Sequence, residues 1–145
     1  MKKIQIGNEF KNGDYEYRET CFGIYEKDNK LYLTEKNNEI SLIGGGIEKN
    51  ESYFDCLRRE FLEESGCMVK ESQELYIIDC YWVTRNNVNM KSVAHIFLVD
   101  IEDKILEPLE KESRLVIINK DMVLEKLELP YQIKAIEMYL KENEL

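Results

Sequence analysis

The stretch from Gly45 to Cys67 constrains this chain more than any other. Three glycines, Gly44 to Gly46, run into a segment with carboxylates at Glu48, Glu51, Asp55, Glu60, Glu63 and Glu64. Phe54, Leu57 and Phe61 recur at i, i+3 and i+7, which is one apolar stripe of a helix. Asn50 or Ser52 supplies an N-terminal cap, and Gly66 stands where a left-handed residue ends a helix. The spacing therefore predicts a helix over residues 52–65. At ~100° per residue, Glu63 and Glu64 lie one turn beyond Glu60 on the same side, about a quarter turn from the apolar stripe. The stripe anchors the helix on a sheet, and the carboxylates line the edge of that packing.

Like charges on adjacent turns repel by a few tenths of a kcal/mol per pair when exposed, and by more when buried. A cation removes that cost. Hard divalent ions take oxygen ligands, and Mg²⁺ is typically held by a few carboxylates together with substrate phosphate oxygens. Two such ions activate a water and neutralise charge on a phosphate. Composition alone does not separate this from an ordinary solvated acidic helix. The glycines are a weak signal by themselves, because neither a P-loop nor a G-x-G-x-x-G is present.

The spacing of the whole segment is what discriminates. Gly45 is followed by five residues and then Glu51. Seven residues later comes Arg59-Glu60-Phe61-Leu62-Glu63-Glu64-Ser65-Gly66-Cys67. This resembles the Nudix box, G-x5-E-x7-R-E-U-x-E-E-x-G-U with U a bulky apolar residue. Every fixed position is filled, and Cys67 serves as a small hydrophobe at the last one.

The resemblance implies an α+β fold, a Nudix-type α/β/α sandwich with a mixed β-sheet, forming a single domain over residues 1–145. It implies Mg²⁺, with Mn²⁺ as a substitute, held by Glu60, Glu63 and Glu64. It makes Arg59 an orienting residue paired with Glu51, and it brings backbone groups of Gly45 and Gly46 to metal or phosphate. The general base is either a box glutamate or one from a later loop, where Glu107, Glu110 and Glu112 occur. Glu112 is favoured because it directly precedes a predicted strand. The implied reaction is hydrolysis of a phosphoanhydride in a nucleoside diphosphate linked to another group. A (deoxy)nucleoside triphosphate giving monophosphate and pyrophosphate is the leading substrate. ADP-ribose, a nucleotide sugar or a dinucleoside polyphosphate are the alternatives, as is a sensor that binds without cleaving. Sensors of this fold lose box carboxylates, and all are present here. Many members dimerise, so a homodimer is carried over as an expectation.

The remaining sequence is consistent with such a domain. Residues 18–25 and 30–34 are rich in β-formers and flank the turn cluster Lys27-Asp28-Asn29-Lys30, which predicts a β-hairpin. Residues 40–43, 74–83, 92–101 and 115–118 read as strands, and residues 121–127 and 131–141 as helices. Strands, helix, strands, helices is the order of an α+β sandwich rather than a repeated βαβ unit.

A net charge of −9 repels nucleic acid and argues against a general DNA- or RNA-binding module. No apolar run approaches the ~20 residues of a membrane helix. The basic start Met1-Lys2-Lys3 is interrupted by Gln5, Asn8 and Glu9 too soon for a signal peptide, which leads to a cytoplasmic expectation. Cys21, Cys56, Cys67 and Cys80 form no C-x-x-C and are expected to be buried, reduced thiols. His95, the single histidine, is expected to pack within a strand. Tyr81, Trp82 and Tyr131 are candidates for stacking on a base, and Arg18, Lys36 and Arg85 are the basic side chains available to phosphates.

Overall fold

The computed structural model describes residues 1–11 and 13–144. Nine strands, β1 (Lys2–Ile6), β2 (Glu16–Ile24), β3 (Glu26–Lys27), β4 (Lys30–Lys36), β5 (Glu39–Ser41), β6 (Ile43–Gly46), β7 (Val69–Val83), β8 (Asn89–Ile101) and β9 (Ser113–Asn119), form two sheets. Helix α1 spans Tyr53–Ser65 and α2 spans Pro130–Glu142. The larger sheet has the order β1-β7-β8-β2-β6 and is mixed: β1 runs parallel to β7 and β2 parallel to β8, while β7–β8 and β2–β6 are antiparallel. The smaller sheet is built on β4, with β9 along one edge and β3 and β5 sharing the other.

Two tight turns shape the smaller sheet. Asp28 and Asn29 have φ of 55° and 63°, and Asn37 and Asn38 have 53° and 65°. Paired positive φ at two-residue connections is the hairpin geometry that matches strand twist, and Asn and Asp tolerate it best. The first turn joins β3 to β4. The predicted pairing of residues 18–25 with 30–34 is reduced to the Tyr32 N–H donating to the Tyr25 carbonyl at 3.0 Å, because β2 leaves the hairpin to enter the other sheet, where it pairs with β6 and β8. The strand expected at residues 40–43 is likewise divided at Leu42 between β5 and β6.

Adjacent residues of a strand face opposite ways, so β2 and β8 each contribute to two cores. One face, with Phe22, Ala94, Ile96, Tyr76 and Ile78, packs against Ala135, Ile136 and Tyr139 of α2 and against Leu31 and Leu33 of β4. The other face, with Cys21, Phe97 and Val99, packs against Cys56, Leu57 and Phe61 of α1. These are the two outer layers of the expected sandwich. Each fully buried large side chain contributes about 1.5–3 kcal/mol.

Helix α1 starts at a capping box. Ser52 Oγ accepts from the Asp55 N–H at 3.0 Å, and Asp55 returns a carboxylate to the Ser52 N–H at 3.3 Å. It ends at Gly66, left-handed at φ 76°. The buried stripe is Cys56, Leu57 and Phe61. Phe54 lies at its margin, with the Arg58 guanidinium 5.8 Å from its ring. Three features depart from the sequence expectations. The basic N-terminal residues form edge strand β1. Residues 121–127 form two short 3₁₀ turns, at Lys120–Met122 and Leu124–Lys126, in place of a helix. Strand β7 begins at Val69, five residues before the expected start. No helix among the described residues is long and apolar enough to cross a membrane.

Candidate active site

Helix α1 lies beside β6, so the glycines and the carboxylates face each other. Arg59 is the organiser of this seam. Its Nε and Nη2 donate to the two oxygens of Glu51 at 2.7 and 2.9 Å, a bidentate pair. Nη2 also donates to the Gly46 carbonyl at 3.0 Å, and Nη1 to Glu60 Oε1 at 2.8 Å and Glu63 Oε2 at 3.4 Å. The Glu51 carboxylate caps the Glu48 N–H at 3.0 Å, which closes the loop between β6 and α1. Arg59 beside it holds Glu51 below the usual carboxylate range, and Glu51 in turn raises Arg59 further.

Glu60 and Glu64 behave the other way. Burial pushes Glu60 up in spite of the Arg59 contact, and Glu63 and Glu110 add repulsion. Burial pushes Glu64 up to about 8, although the Gly44 N–H donates to its Oε1 at 2.9 Å. Gly44 is forced to be glycine twice over. Its φ is 155°, and a Cβ there would collide with the Cys21 carbonyl. A Cβ on Gly45 would sit 2.7 Å from Glu60 Oε1. The carbonyls of Gly45 and Gly46 are contacted by Cys56 Sγ at 3.7 Å.

Among the described residues, no group of three or more His, Cys, Asp or Glu side chains is gathered so as to hold a cation as it stands. The hydrogen bonds give the reason: Arg59 holds Glu60 and Glu63, and Gly44 holds Glu64. The donors nevertheless fit a hard divalent ion. They are all oxygens, and two, Glu60 and Glu64, are partly buried carboxylates whose proton affinity is raised, which is the environment a cation relieves.

The loop after β8 returns over the end of α1. The N–H groups of Leu106, Leu109 and Glu110 donate to the carbonyls of Gly66, Leu62 and Glu63 at 2.9, 3.1 and 2.9 Å, satisfying the last carbonyls of the helix. This brings Glu110 to the carboxylate row. Glu112 points outward, 53% exposed, with Lys36 Nζ at 3.7 Å from its Oε1. Of the three loop carboxylates, the one at the site is therefore Glu110, not Glu112.

A cavity of about 320 Å³ opens on the α2 face of the larger sheet. It is lined by Arg18, Thr20, Trp82 and Ser92 of the sheet and by Leu129 and Tyr131 at the start of α2, among others. Trp82 Nε1 donates to Ser92 Oγ at 2.9 Å, which fixes the indole plane. Tyr81, the third candidate for base stacking, does not line this cavity. The pleat turns it to the opposite face, where it packs edge-on against Phe10 and Tyr15 with centroids at 5.9 and 6.3 Å. The Arg18 guanidinium bridges cavity and seam, reaching within 3.8 Å of the point where a Gly46 Cβ would be.

His95 is buried on the α1 face. Nδ1 meets Glu74 at 2.6 Å, Nε2 meets Glu19 at 2.8 Å, and the Tyr53 ring stacks at 4.3 Å. Both nitrogens are occupied by carboxylates, so no serine or cysteine nucleophile is paired with it. The four cysteines are buried and free.

The family model described as NUDIX domain matches residues 18–136. The chain belongs to the Nudix family. It is a Nudix pyrophosphohydrolase, and the seam just described is its Nudix box. Among solved structures, a MutT mutator protein from Bacillus halodurans superposes with a TM-score of 0.71 at 21% identity, covering 85% of this chain and 82% of that one. A NUDIX hydrolase from Nitrosomonas europaea gives 0.68 at 20% identity, over 88% and 90%. An ADP compounds hydrolase gives 0.65 at 20% identity, over 88% and 75%. At these identities the likeness is one of fold. No curated protein matches the chain significantly.

Proposed function

We propose that this Nudix hydrolase cleaves a (deoxy)nucleoside triphosphate to the monophosphate and pyrophosphate. The observation that carries this reading is the order of groups along β6. The aromatic cavity and Arg18 lie at the Gly46 end, Glu60 lies against Gly45, and Glu64 against Gly44. A nucleotide with its base between Trp82 and Tyr131 would run its phosphates along that line, past Arg18 and into the carboxylates. A MutT protein among the structural relatives is compatible with this substrate class.

On this reading Glu60, Glu63 and Glu64 hold Mg²⁺, or Mn²⁺ in its place. A bound cation supplies charge neutralisation at the phosphates and a more acidic water. Arg59, held by Glu51, positions Glu60 and the glycine loop. Glu110, fastened to the helix end by its own N–H, accepts the proton of the attacking water. Arg18 compensates charge near the first phosphate, and Trp82 presents a fixed ring face to the base. The protein acts as one domain in the cytoplasm on small nucleotides.

The test is product release from a panel of dGTP, 8-oxo-dGTP, ADP-ribose, a UDP-sugar and a diadenosine polyphosphate, with Mg²⁺ and with EDTA. Pyrophosphate from the triphosphates, lost with EDTA and in Glu64→Gln, is the expected result. Turnover confined to ADP-ribose or another diphosphate would reject the triphosphate reading, and binding without turnover of any compound would reject catalysis.

A further inference from the structure

Lys36, one of the basic side chains available to phosphates, lies outside the box. It lies two residues beyond Thr34 on β4, so the two side chains share one face of the strand. Thr34 Oγ1 donates to the Glu64 carbonyl at 2.9 Å, which sets that face against the last turn of α1. Across the β4–β9 ladder Lys36 stands opposite Ser113. The Ser113 hydroxyl donates to Glu110 Oε1 at 2.9 Å, and the Glu110 N–H holds the Glu63 carbonyl. The ammonium thus continues the row Gly46, Gly45, Gly44 beyond Glu64, at the end away from the aromatic cavity.

Its present partners are loose. Nζ is 3.5 Å from Glu110 Oε2 and 3.7 Å from Glu112 Oε1, and the side chain is 40% exposed. A charge-assisted hydrogen bond is about 2.7–2.9 Å long, so the ammonium retains donor capacity. Glu110 beside it raises its pKa, with Glu112 and Glu64 adding, so it remains a cation. Arg59, the cation on α1, is committed to Glu51, Glu60, Glu63 and the Gly46 carbonyl. A polyphosphate entering a chain of net charge −9 meets Arg18 at one end and Lys36 at the other.

We propose that Lys36 binds the terminal phosphate of the substrate and so selects nucleoside triphosphates over nucleotides that lack it. This rests on the reading of the seam as a nucleotide polyphosphate site. The position of Lys36, outward of Glu64 and opposite the base cavity, makes it a specificity residue. Moving its ammonium from Glu110 to a phosphate also frees that carboxylate for its proton-accepting role.

The experiment is binding of a nonhydrolysable nucleoside triphosphate, the matching diphosphate and the monophosphate by calorimetry. Wild type, Lys36→Ala and Lys36→Arg are compared, with Mg²⁺ and with EDTA. Lys36→Ala is expected to weaken triphosphate binding about ten- to a hundredfold, with the monophosphate unchanged and Lys36→Arg largely restoring the triphosphate. A merely structural role in holding the loop would weaken all three ligands together, and that result overturns the proposal. So does a triphosphate affinity unaltered in Lys36→Ala. If the wild type itself does not distinguish the three nucleotides, the triphosphate reading fails and this proposal fails with it.

Discussion

The main-chain N–H of Gly44 donates to Glu64 Oε1 at 2.9 Å, across 20 residues of sequence. This bond ties the edge of β6 to the last turn of α1 and places a carboxylate in a partly buried setting. Burial wins over the hydrogen bond, and Glu64 holds its proton up to about pH 8 in the metal-free protein.

The unfolded chain releases the same proton near 4.5. Between those values the folded state binds more protons than the unfolded state, so this group's stabilisation is complete below about pH 4.5 and is lost as pH rises to about 8. The slope is at most about 1.4 kcal/mol per pH unit. In EDTA, the melting temperature of wild type relative to Glu64→Gln is expected to fall across that window. Mg²⁺ should reverse the fall, because it replaces the proton. A wild-type to mutant difference that is flat with pH would contradict the partly buried, protonated carboxylate.

Arg59→Lys keeps a positive charge but loses the planar fork that meets both oxygens of Glu51 and the Gly46 carbonyl at once. Groups that orient metal ligands typically contribute 10- to 100-fold. We expect kcat/KM to fall by about that factor while the far-UV spectrum stays unchanged. Wild-type kinetics in Arg59→Lys would mean that the bidentate pair is dispensable.

Gly45→Ala introduces a Cβ 2.7 Å from Glu60 Oε1, so the carboxylate must move. Mn²⁺ titration by calorimetry should show at least about tenfold weaker binding, in line with the cost of disturbing a metal-site support. Stability in EDTA should change by about 1–2 kcal/mol at most. Unaltered Mn²⁺ affinity would remove Glu60 from the ligand set.

Trp82 and Tyr81 are neighbours in sequence on opposite faces of β7. Base stacking contributes about 1–3 kcal/mol, so Trp82→Ala should raise KM roughly five- to a hundredfold with little change in kcat. Tyr81→Ala removes packing against Phe10 and Tyr15 and should lower the melting temperature while leaving KM near wild type. The reverse pattern would relocate the nucleotide to the other face of the sheet.

The helix was legible from residues 52–65 because its determinants are local: a capping serine, a 3.6-residue stripe and a terminal glycine. The box itself was legible for the same reason, since residues spaced along one helix and its lead-in carry their geometry with them. The Asn37-Asn38 turn had a local signal too, in two adjacent asparagines that tolerate positive φ. Strand partnership had none. Residues 18–25 look like the first arm of a hairpin, yet β2 is needed between β6 and β8 to bury Cys21 on one face and Phe22 on the other.

The sequence by itself determined the family, the helix that carries the carboxylates and the pairing chemistry available to Arg59, because these depend on spacing along a single element. Only the tertiary structure decided that Glu110 rather than Glu112 reaches the carboxylate row, that Trp82 rather than Tyr81 lines the cavity, and that Lys36 stands beside Glu110. Those choices turn on which carbonyls the returning loop satisfies and on which side of a pleat a residue falls. Both are set by contacts between segments distant in the chain.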